Sequence, residues 1–539
     1  MNHQTENKIM PATLKQWLHD GQEVAVLDVR EHGQYGEEHL FYIVSVPYSK
    51  LEIEVDRLVP RKNVRMVLVG DEDGTLSRKA LQRLHTLGYQ NVHILDGGMS
   101  AWKKAGYEVF AGVNLPSKAF GELAEHAFNT PRITALELDK KIAAKENMVI
   151  LDGRPFAEYK KMSIPTAVCC PNGELALRID EIAPDPKTTI VINCAGRTRS
   201  IIGAQTLINL GVPNKVLALE NGTQGWYLQD LVLDHGQTRK YPEQINAAGM
   251  ELRQSRATTL AKKHHVQFVD RTTVQAWLKD QDRTTFLCDV RTPEEYAKGT
   301  VPGAQHTPGG QLVQATDQYV GVKGARLVLI DQEGVRAPAM ASWLAMLGWE
   351  VAVWVDAFSQ ATTNAQDSKN NEGTQRIRAH ASNENITQTG SAQIAALMSG
   401  GAIMIDLRPS MKFREAHILG AVWSIRPNLS ALTPLLKDQS ILLLAEDIET
   451  AQLASIDLIE IGVKHTYVNI DSPSIWKEAK LPLASTPNNP PDDQCIDYLF
   501  FVHDRHDGNK AAARQYLAWE MNLLAQIDDQ EKNTYKLPH

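Results

Sequence analysis

Residues 187–212, KTTIVINCAGRTRSIIGAQTLINLGV, combine a short apolar segment, a polar loop and a second, longer apolar segment. The first segment, Thr188 to Asn193, is β-branched and apolar, which predicts a buried strand of a parallel sheet. The second, Ser200 to Leu210, precedes a glycine, which predicts a helix with a glycine stop. The connecting loop begins at Cys194, at the sheet edge where α/β folds hold their functional groups.

The loop between these segments, CAGRTR, has the composition of an anion site. The first N–H groups of a helix lack intrahelical partners and carry partial positive charge, so a loop that curls over them can hold an anion. A thiol in such a place ionises more readily. Arg197 and Arg199 add two cations that can hold an oxyanion. The pattern predicts that Cys194 is a nucleophile that meets an anionic donor, and the flanking arginines disfavour the alternative of an inert, buried cysteine.

An acid–arginine pattern that precedes this loop occurs four times along the chain. The four segments are VLDVREHGQY, ILDGRPFAEY, LCDVRTPEEY and MIDLRPSMKF, with their acids at Asp28, Asp152, Asp289 and Asp406. A second apolar strand and a turn follow each acid, and the turns begin at Asp71, Cys194, Asp331 and Glu446. A turn that reaches a tryptophan ends three copies, at Trp102, Trp226 and Trp476, whereas in the third copy Trp354 precedes the turn. The chain is therefore predicted to be a fourfold repeat.

The motif CAGRTRS, with DGRPFAEY upstream and LENGTQGW downstream, resembles the rhodanese (thiosulfate sulfurtransferase) family. The resemblance implies an α/β fold of four tandem rhodanese-like domains, each a parallel β-sheet flanked by helices on both faces. The expected domains cover residues 1–112, 128–240, 262–360 and 386–487, and a C-terminal helical tail covers 488–539. Residues 360–390 are polar and are predicted to be a linker. The tail is predicted to contain a helix at about 508–527 that docks on the body of the protein.

The resemblance also implies a reaction. In this family the cysteine takes up a sulfane sulfur as a persulfide, so Cys194 would attack the outer sulfur of thiosulfate and release sulfite. Cyanide or a thiol acceptor would then remove the sulfur, and neither a metal nor an organic cofactor is required. The residues expected to bind the donor are those of the loop and the start of the helix, Ala195, Gly196, Arg197, Thr198, Arg199 and Ser200. Asp152 and Arg154 are expected to support the site, in a more structural than chemical role.

The four copies are not equivalent, because only the second carries a cysteine at the start of the loop. The others read DEDGTLS, DQEGVRA and EDIETAQ, with Asp71, Asp331 and Glu446 in that place. A carboxylate cannot carry a persulfide, and it repels an anionic donor. Three of the four domains are therefore expected to be inactive, with packing, interface formation or a regulatory pocket as their open roles.

Two other functions remain open at this point. A phosphatase or arsenate reductase of the same fold uses a loop one residue longer, with its arginine six positions after the cysteine, whereas Arg199 follows Cys194 by five. A sulfur-relay or scaffold protein would use the same persulfide but deliver it to a partner docked on the inactive domains. The loop also departs from the glycine- and serine/threonine-rich loop of mercaptopyruvate-specific relatives, which favours an inorganic donor such as thiosulfate.

The composition limits the remaining possibilities. A net charge of −8 over 539 residues gives no argument for a nucleic acid or an anionic membrane as a partner. The first residues contain no apolar signal region, so a cytoplasmic location is expected.

The five cysteines, Cys169, Cys170, Cys194, Cys288 and Cys495, have neither a disulfide framework nor metal-ligand spacing. Cys169 and Cys170 are expected in the core, with a resolving thiol as the alternative, and the HDRHD segment at 503–507 is predicted to cap a helix rather than to bind a metal.

Overall fold

The computed structural model describes residues 7–359, 386–436, 439–503 and 509–538. Most of the predicted linker, residues 360–385, lies outside this part of the chain, and so does the predicted cap at Asp507.

Four parallel five-stranded sheets follow one another along the chain, which confirms the predicted fold class. The strands of the first sheet are β1 Lys8–Ile9, β2 Val24–Asp28, β3 Val44–Ser45, β4 Arg65–Val69 and β5 Val92–Leu95. Those of the second sheet are β6 Arg132–Ile133, β7 Met148–Asp152, β8 Val168–Cys169, β9 Thr189–Asn193 and β10 Val216–Leu219. Those of the third sheet are β11 Gln267–Val269, β12 Thr285–Asp289, β13 Gln305–His306, β14 Arg326–Ile330 and β15 Glu350–Trp354. The strands of the fourth repeat are β16 Ile386–Gln388, β17 Ile403–Asp406, β18 His417–Ile418, β19 Val422–Trp423, β20 Ile441–Leu444, β21 Thr466–Asn469 and β22 Leu483–Ala484.

All four sheets share one strand order. The second sheet reads β6-β10-β9-β7-β8, and the first and third read in the equivalent order. The fourth reads β16-β21-β20-β17-β19, and its β18 pairs separately with β22 in an antiparallel ladder. Parallel neighbours require crossover connections, which the helices between the strands provide.

The helices of the first repeat are α1 Pro11–His19, α2 His32–Glu37, α3 Leu51–Leu58, α4 Thr75–Thr86 and α5 Gly98–Lys104. Those that precede or belong to the second are α6 Leu115–Phe128, α7 Ala135–Ala143, α8 Phe156–Lys161, α9 Asn172–Ile182, α10 Thr198–Asn209 and α11 Gly222–Leu228. Those of the third are α12 Met250–Lys263, α13 Arg271–Leu278, α14 Pro293–Lys298, α15 Gly309–Gln314 and α16 Arg336–Met346. Those of the fourth repeat and the tail are α17 Ser391–Ser399, α18 Ser410–Glu415, α19 Thr433–Leu436, α20 Ile448–Glu460, α21 Pro473–Glu478, α22 Phe500–His503, α23 Lys510–Gln526 and α24 Asp529–Lys532. None of the helices in the described ranges is both long and apolar enough to cross a bilayer.

The second sheet, which carries the cysteine loop, is covered by apolar side chains on both faces. Along β9, Ile190 and Ile192 pack into one core cluster and Val191 into the other, as the alternation of a strand requires. Trp226 of α11 is buried in the same cluster as Val191, and its Nε1 donates a hydrogen bond to Val232 O at 2.9 Å. A strand buried on both faces reads as a continuous apolar run, which is why β9 was recognisable in the sequence.

The chain divides into two compact units. One holds the first and fourth sheets; the other holds the second and third sheets together with α6, α23 and α24. The loop that begins at Cys194 belongs to this second unit, as do helices α6 and α23.

Candidate active site

Cys194 follows the last residue of β9 and stands directly before α10. The helix begins at Thr198, two residues earlier than predicted, so Thr198 and Arg199 belong to its first turn rather than to the loop. The early start was not recognisable because the residue that precedes the helix, Arg197, makes no side-chain cap of the kind that marks a helix start. The loop proper is therefore Cys194–Arg197.

The thiol of Cys194 is enclosed by its own loop and helix. The residue is 2% exposed, and its Sγ accepts a hydrogen bond from Ser200 Oγ at 3.0 Å. Ser200 is itself buried in the first turns of α10. A hydroxyl donor and the N-terminal end of a helix both favour negative charge on the sulfur.

The segment LENGTQGW, which connects β10 to α11, forms hydrogen bonds with the backbone of the cysteine loop. The backbone N–H of Thr223 donates to Cys194 O at 2.8 Å, and the N–H of Gln224 donates to Ala195 O at 3.0 Å. Gly222 has a φ of 54°, and a Cβ at this position would lie 2.3 Å from Cys194 O. Glycine is therefore required here by both conformation and space, and the start of α11 fixes the loop backbone.

Arg199 is paired with a carboxylate beside the loop. Its Nη1 and Nη2 donate to Glu158 Oε1 and Oε2 at 2.8 and 2.9 Å. Burial alone would lower the pKa of Arg199, but the Glu158 carboxylate raises it above its ordinary value. The guanidinium thus stays charged near Cys194, in a bidentate geometry that fixes its orientation.

Arg197 faces helix α6, which precedes the second sheet. Its Nε donates to Glu122 Oε1 at 2.7 Å and its Nη2 to Glu122 Oε2 at 2.9 Å, while Nη2 also donates to Glu125. Its Nη1 donates to Asn221 Oδ1 at 3.3 Å. Arg197 is buried, so this guanidinium is shared with two carboxylates that the sequence analysis did not connect with the loop.

Asp152 and Arg154 form a closed pair at the end of β7. Arg154 Nε and Nη2 donate to the two carboxylate oxygens of Asp152 at 2.9 and 2.7 Å, and Nη2 also donates to Met162 O at 2.6 Å. Asn193 Nδ2 donates to the same carboxylate at 3.0 Å. Pairs with the same bidentate contacts occur in the three repeats without cysteine, at Asp28–Arg30, Asp289–Arg291 and Asp406–Arg408. This recurrence favours a structural role.

The tail helix α23 contacts the cysteine loop and the first turn of α10. Thr198 Oγ1 donates to Glu520 Oε1 at 3.0 Å, and Lys118 Nζ of α6 donates to the same oxygen at 3.4 Å. A Cβ at Gly196 would lie 3.1 Å from Glu520 Oε2 and 3.9 Å from Leu517 Cδ2. The tail helix spans Lys510–Gln526, close to its predicted range, but its place over the loop had no signal in the sequence.

Cys169 and Cys170 lie in opposite core clusters of the second sheet. Burial raises the pKa of the Cys169 thiol to about 12, and burial also raises the pKa of Cys170 well above its ordinary value. Cys169 Sγ donates to Arg154 O at 3.6 Å. Both thiols are therefore held in the neutral form, as expected of core cysteines.

Comparison with known proteins places these features in a family. A family model described as a rhodanese-like domain matches residues 10–105, 134–229 and 270–360. The fourth repeat lies outside these three matches, although its main sheet has the strand order of the others.

A crystal structure of a thiosulfate sulfurtransferase from Pseudomonas aeruginosa matches with a TM-score of 0.88 and 37% identity, over 99% of this chain and 100% of that chain. An uncharacterized protein of Synechocystis is 32% identical over 113 residues, which are 21% of this chain and 61% of the relative. YrkF of Bacillus subtilis, named as a proposed sulfur carrier protein, is 26% identical over 166 residues, which are 28% of this chain and 86% of the relative.

Proposed function

The chain belongs to the family of rhodanese-like domains, and we propose that it is a thiosulfate sulfurtransferase that works through a persulfide on Cys194. One observation carries the proposal: the second repeat alone places a thiol at the start of the loop, with Cys194 Sγ 3.0 Å from the Ser200 hydroxyl at the N-terminal end of α10. The similarity to the Pseudomonas aeruginosa thiosulfate sulfurtransferase over the whole chain supports the donor.

The first half-reaction transfers the sulfur to the protein. The Cys194 thiolate attacks the outer sulfur of thiosulfate, the S–S bond of the donor breaks, and sulfite leaves with the bonding electron pair. The N–H groups at the start of α10 stabilise the charge on the persulfide, and Arg199 offsets the charge of the departing sulfite. Arg197 acts in the same direction more weakly, because two carboxylates of α6 share its charge.

The second half-reaction returns the thiolate. Cyanide or a thiol attacks the outer sulfur of the persulfide and leaves with it as thiocyanate or as a new persulfide. None of these steps draws on a metal or an organic cofactor. We place the reaction in the cytoplasm, where free thiols are the normal state, because all five cysteines of the chain are unpaired.

Intact-mass analysis after exposure to thiosulfate tests the donor and the nucleophile together. The wild-type chain should gain the mass of one sulfur atom, and cyanide should remove it. Cys194→Ser should gain nothing, whereas Cys495→Ser, which removes another buried thiol, should load like the wild type. Loading of the Cys194→Ser variant would assign the persulfide to a different cysteine and overturn the proposal.

A sulfur-relay function is the second candidate, and the similarity to YrkF, which is named as a proposed sulfur carrier protein, favours it. A relay protein would load with thiosulfate as fast as an enzyme does, but cyanide would unload it slowly and a protein acceptor quickly. Single-turnover unloading rates therefore separate the two functions.

A further inference from the structure

Helix α23 of the tail places a buried carboxylate against the catalytic loop. Glu520 is 2% exposed, and its Oε1 accepts hydrogen bonds from Thr198 Oγ1 and Lys118 Nζ. Its other oxygen, Oε2, faces the loop, because a Cβ at Gly196 would lie 3.1 Å from it. The carboxylate thus borders the loop two residues from the nucleophile.

Oε2 of Glu520 has no hydrogen-bond partner within the described ranges of the chain. A buried carboxylate oxygen without a donor is unfavourable, since it has lost its hydration without a replacement. The loop-facing oxygen of Glu520 is therefore an unsatisfied acceptor, which a cationic donor would satisfy best.

A second unpartnered group borders the same part of the loop. Gln224 of α11 is 4% exposed, and neither its Oε1 nor its Nε2 has a hydrogen-bond partner in the part of the chain that the structure describes. Its backbone N–H bonds to Ala195 O, and α11 packs against α23. In the first repeat the equivalent residue, Ser100, donates to the side chain of Glu72, which corresponds to Ala195. This position thus directs a side chain toward the second residue of the loop.

We propose that Glu520 and Gln224 form the acceptor subsite, and that the acceptor is a small thiol with a protonated amine close to its sulfur. The ammonium would donate to Glu520 Oε2, and the Gln224 amide would bind a polar group of the same molecule. A dianionic donor is repelled by this carboxylate and is served instead by the helix N-terminus and Arg199. The inference rests on the proposed function, since it assigns the second half-reaction of the same persulfide.

The step is a thiol exchange at the outer sulfur. The acceptor thiolate attacks that sulfur, an S–S bond forms to the acceptor, and the S–S bond to Cys194 breaks. Cys194 leaves as a thiolate, and the proton of the acceptor thiol passes to the solvent. The sulfur is transferred without net oxidation or reduction, so no further reactant is needed.

The test uses the full chain, first loaded with thiosulfate and then mixed with one of three acceptors of similar size. These are cysteamine, which is cationic, 2-mercaptoethanol, which is neutral, and 3-mercaptopropionate, which is anionic. The loss of the sulfur mass gives a single-turnover rate for each. For each acceptor, the ratio of its rates with the wild type and with Glu520→Gln does not depend on the intrinsic reactivity of its thiol. Glu520→Gln should slow cysteamine by about tenfold or more, leave 2-mercaptoethanol nearly unchanged and speed up 3-mercaptopropionate.

Asp529→Asn is the matched control, because it removes one exposed carboxylate from the tail and should leave all three rates unchanged. Equal slowing of all three acceptors in Glu520→Gln would show that Glu520 only shapes the loop and would overturn the proposal. If Glu520→Gln does not fold, the wild-type protein alone tests the proposal. It should lose its sulfur faster to cysteamine than to N-acetylcysteamine, after correction for the thiolate fraction of each. Equal rates would overturn the proposal. Failure to load with thiosulfate would instead contradict the proposed function.

Discussion

The loops of the second and third repeats connect equivalent strands and helices, but different side chains lie at the N-terminus of the helix. In the third repeat, Asp331 Oδ2 accepts hydrogen bonds from the N–H groups of Val335 and Arg336, both at 2.9 Å. The first repeat does the same, because Asp71 accepts from Leu76 N at 2.9 Å. In the second repeat the corresponding residue is Cys194, whose sulfur accepts from a hydroxyl. The loops of the first and third repeats thus occupy the helix N-terminus with their own carboxylate, whereas the loop of the second repeat has a thiol in that place.

The arginine five residues after the start of the loop in the second and third repeats, in the first turn of the helix, shows the same contrast. Arg199 pairs with Glu158, and Arg336 pairs with Glu295 at the equivalent position. Arg336 is also held by Glu174 at 2.9 Å, and it is completely buried. The arginine of the third repeat is therefore held by several carboxylates, whereas the arginine of the second repeat has one carboxylate partner, Glu158.

Replacing the nucleophile should have the largest effect. Cys194→Ser should lower thiocyanate formation from thiosulfate and cyanide by roughly a thousandfold or more, because a serine hydroxyl does not ionise at neutral pH. Circular dichroism should confirm an unchanged fold. Residual turnover near the wild-type level would mean that another cysteine carries the sulfur.

Arg197 should matter mainly for stability. The residue in its place in the third repeat is Gly334, so the loop of that repeat forms without a guanidinium here. Arg197→Ala leaves Glu122 buried without its cation, whereas Glu125 keeps Arg132 at 3.1 Å. This change should lower the free energy of unfolding by about 3–5 kcal/mol. Urea unfolding measures this, with Arg197→Lys as the charge-retaining control. A stability loss below about 1 kcal/mol would show that the α6 carboxylates are not held by this arginine.

Arg199 should affect the donor more than the fold. Arg199→Ala should raise the thiosulfate KM by about ten- to a hundredfold, since one charged hydrogen bond is lost. A neutral organic trisulfide serves as the control donor, because it presents no oxyanion to the guanidinium. Equal losses for both donors would mean that Arg199 orders the loop, as Arg336 does in the third repeat.

Restoring the thiol to an inactive loop tests whether the carboxylate alone separates the two loops. In a Cys194→Ser background, Asp331→Cys should load with thiosulfate to at most about a hundredth of the wild-type rate, because Glu333 still repels the donor. Adding Glu333→Ala should increase this loading, and intact mass measures it. Asp71→Cys and Glu446→Cys, whose loops keep further acids, should remain unloaded. Robust loading at position 71 or 446 would contradict the electrostatic explanation.

The smallest effect concerns how the stability of the third repeat depends on pH through the Glu295–Arg336 pair. Burial alone would raise the pKa of Glu295, but hydrogen bonding to Arg336 lowers it to about 2. A lowered carboxyl pKa gives stability that is present above the ordinary value and is lost as pH falls toward 2. Glu295→Gln should therefore weaken the dependence of the urea midpoint on pH between about pH 5 and about pH 3. Glu294→Gln, which changes the exposed neighbouring residue, should leave that dependence as it is in the wild type.

The sequence by itself determined the repeat and the fold class, and it predicted the nucleophile. Each depends on local patterns: an apolar strand followed by an acid–arginine pair, or a strand, a loop and a helix in one short segment. β9 begins at Thr189, one residue from its predicted start, because a fully buried strand has no polar interruptions. An alignment of the four repeats within the chain was enough to show that only one of the equivalent loops begins with a cysteine.

The tertiary structure alone decided which groups surround Cys194 and its loop. Glu122 lies 75 residues before Arg197, and Glu520 lies 322 residues after Thr198, so no local pattern connects them. Their positions follow from how α6 and α23 pack on the loop, and a helix face that fits one apolar surface fits many others equally well. Hydrophobic patterning identifies a helix that must be covered, but only the completed packing selects its partner and brings a buried carboxylate to Gly196.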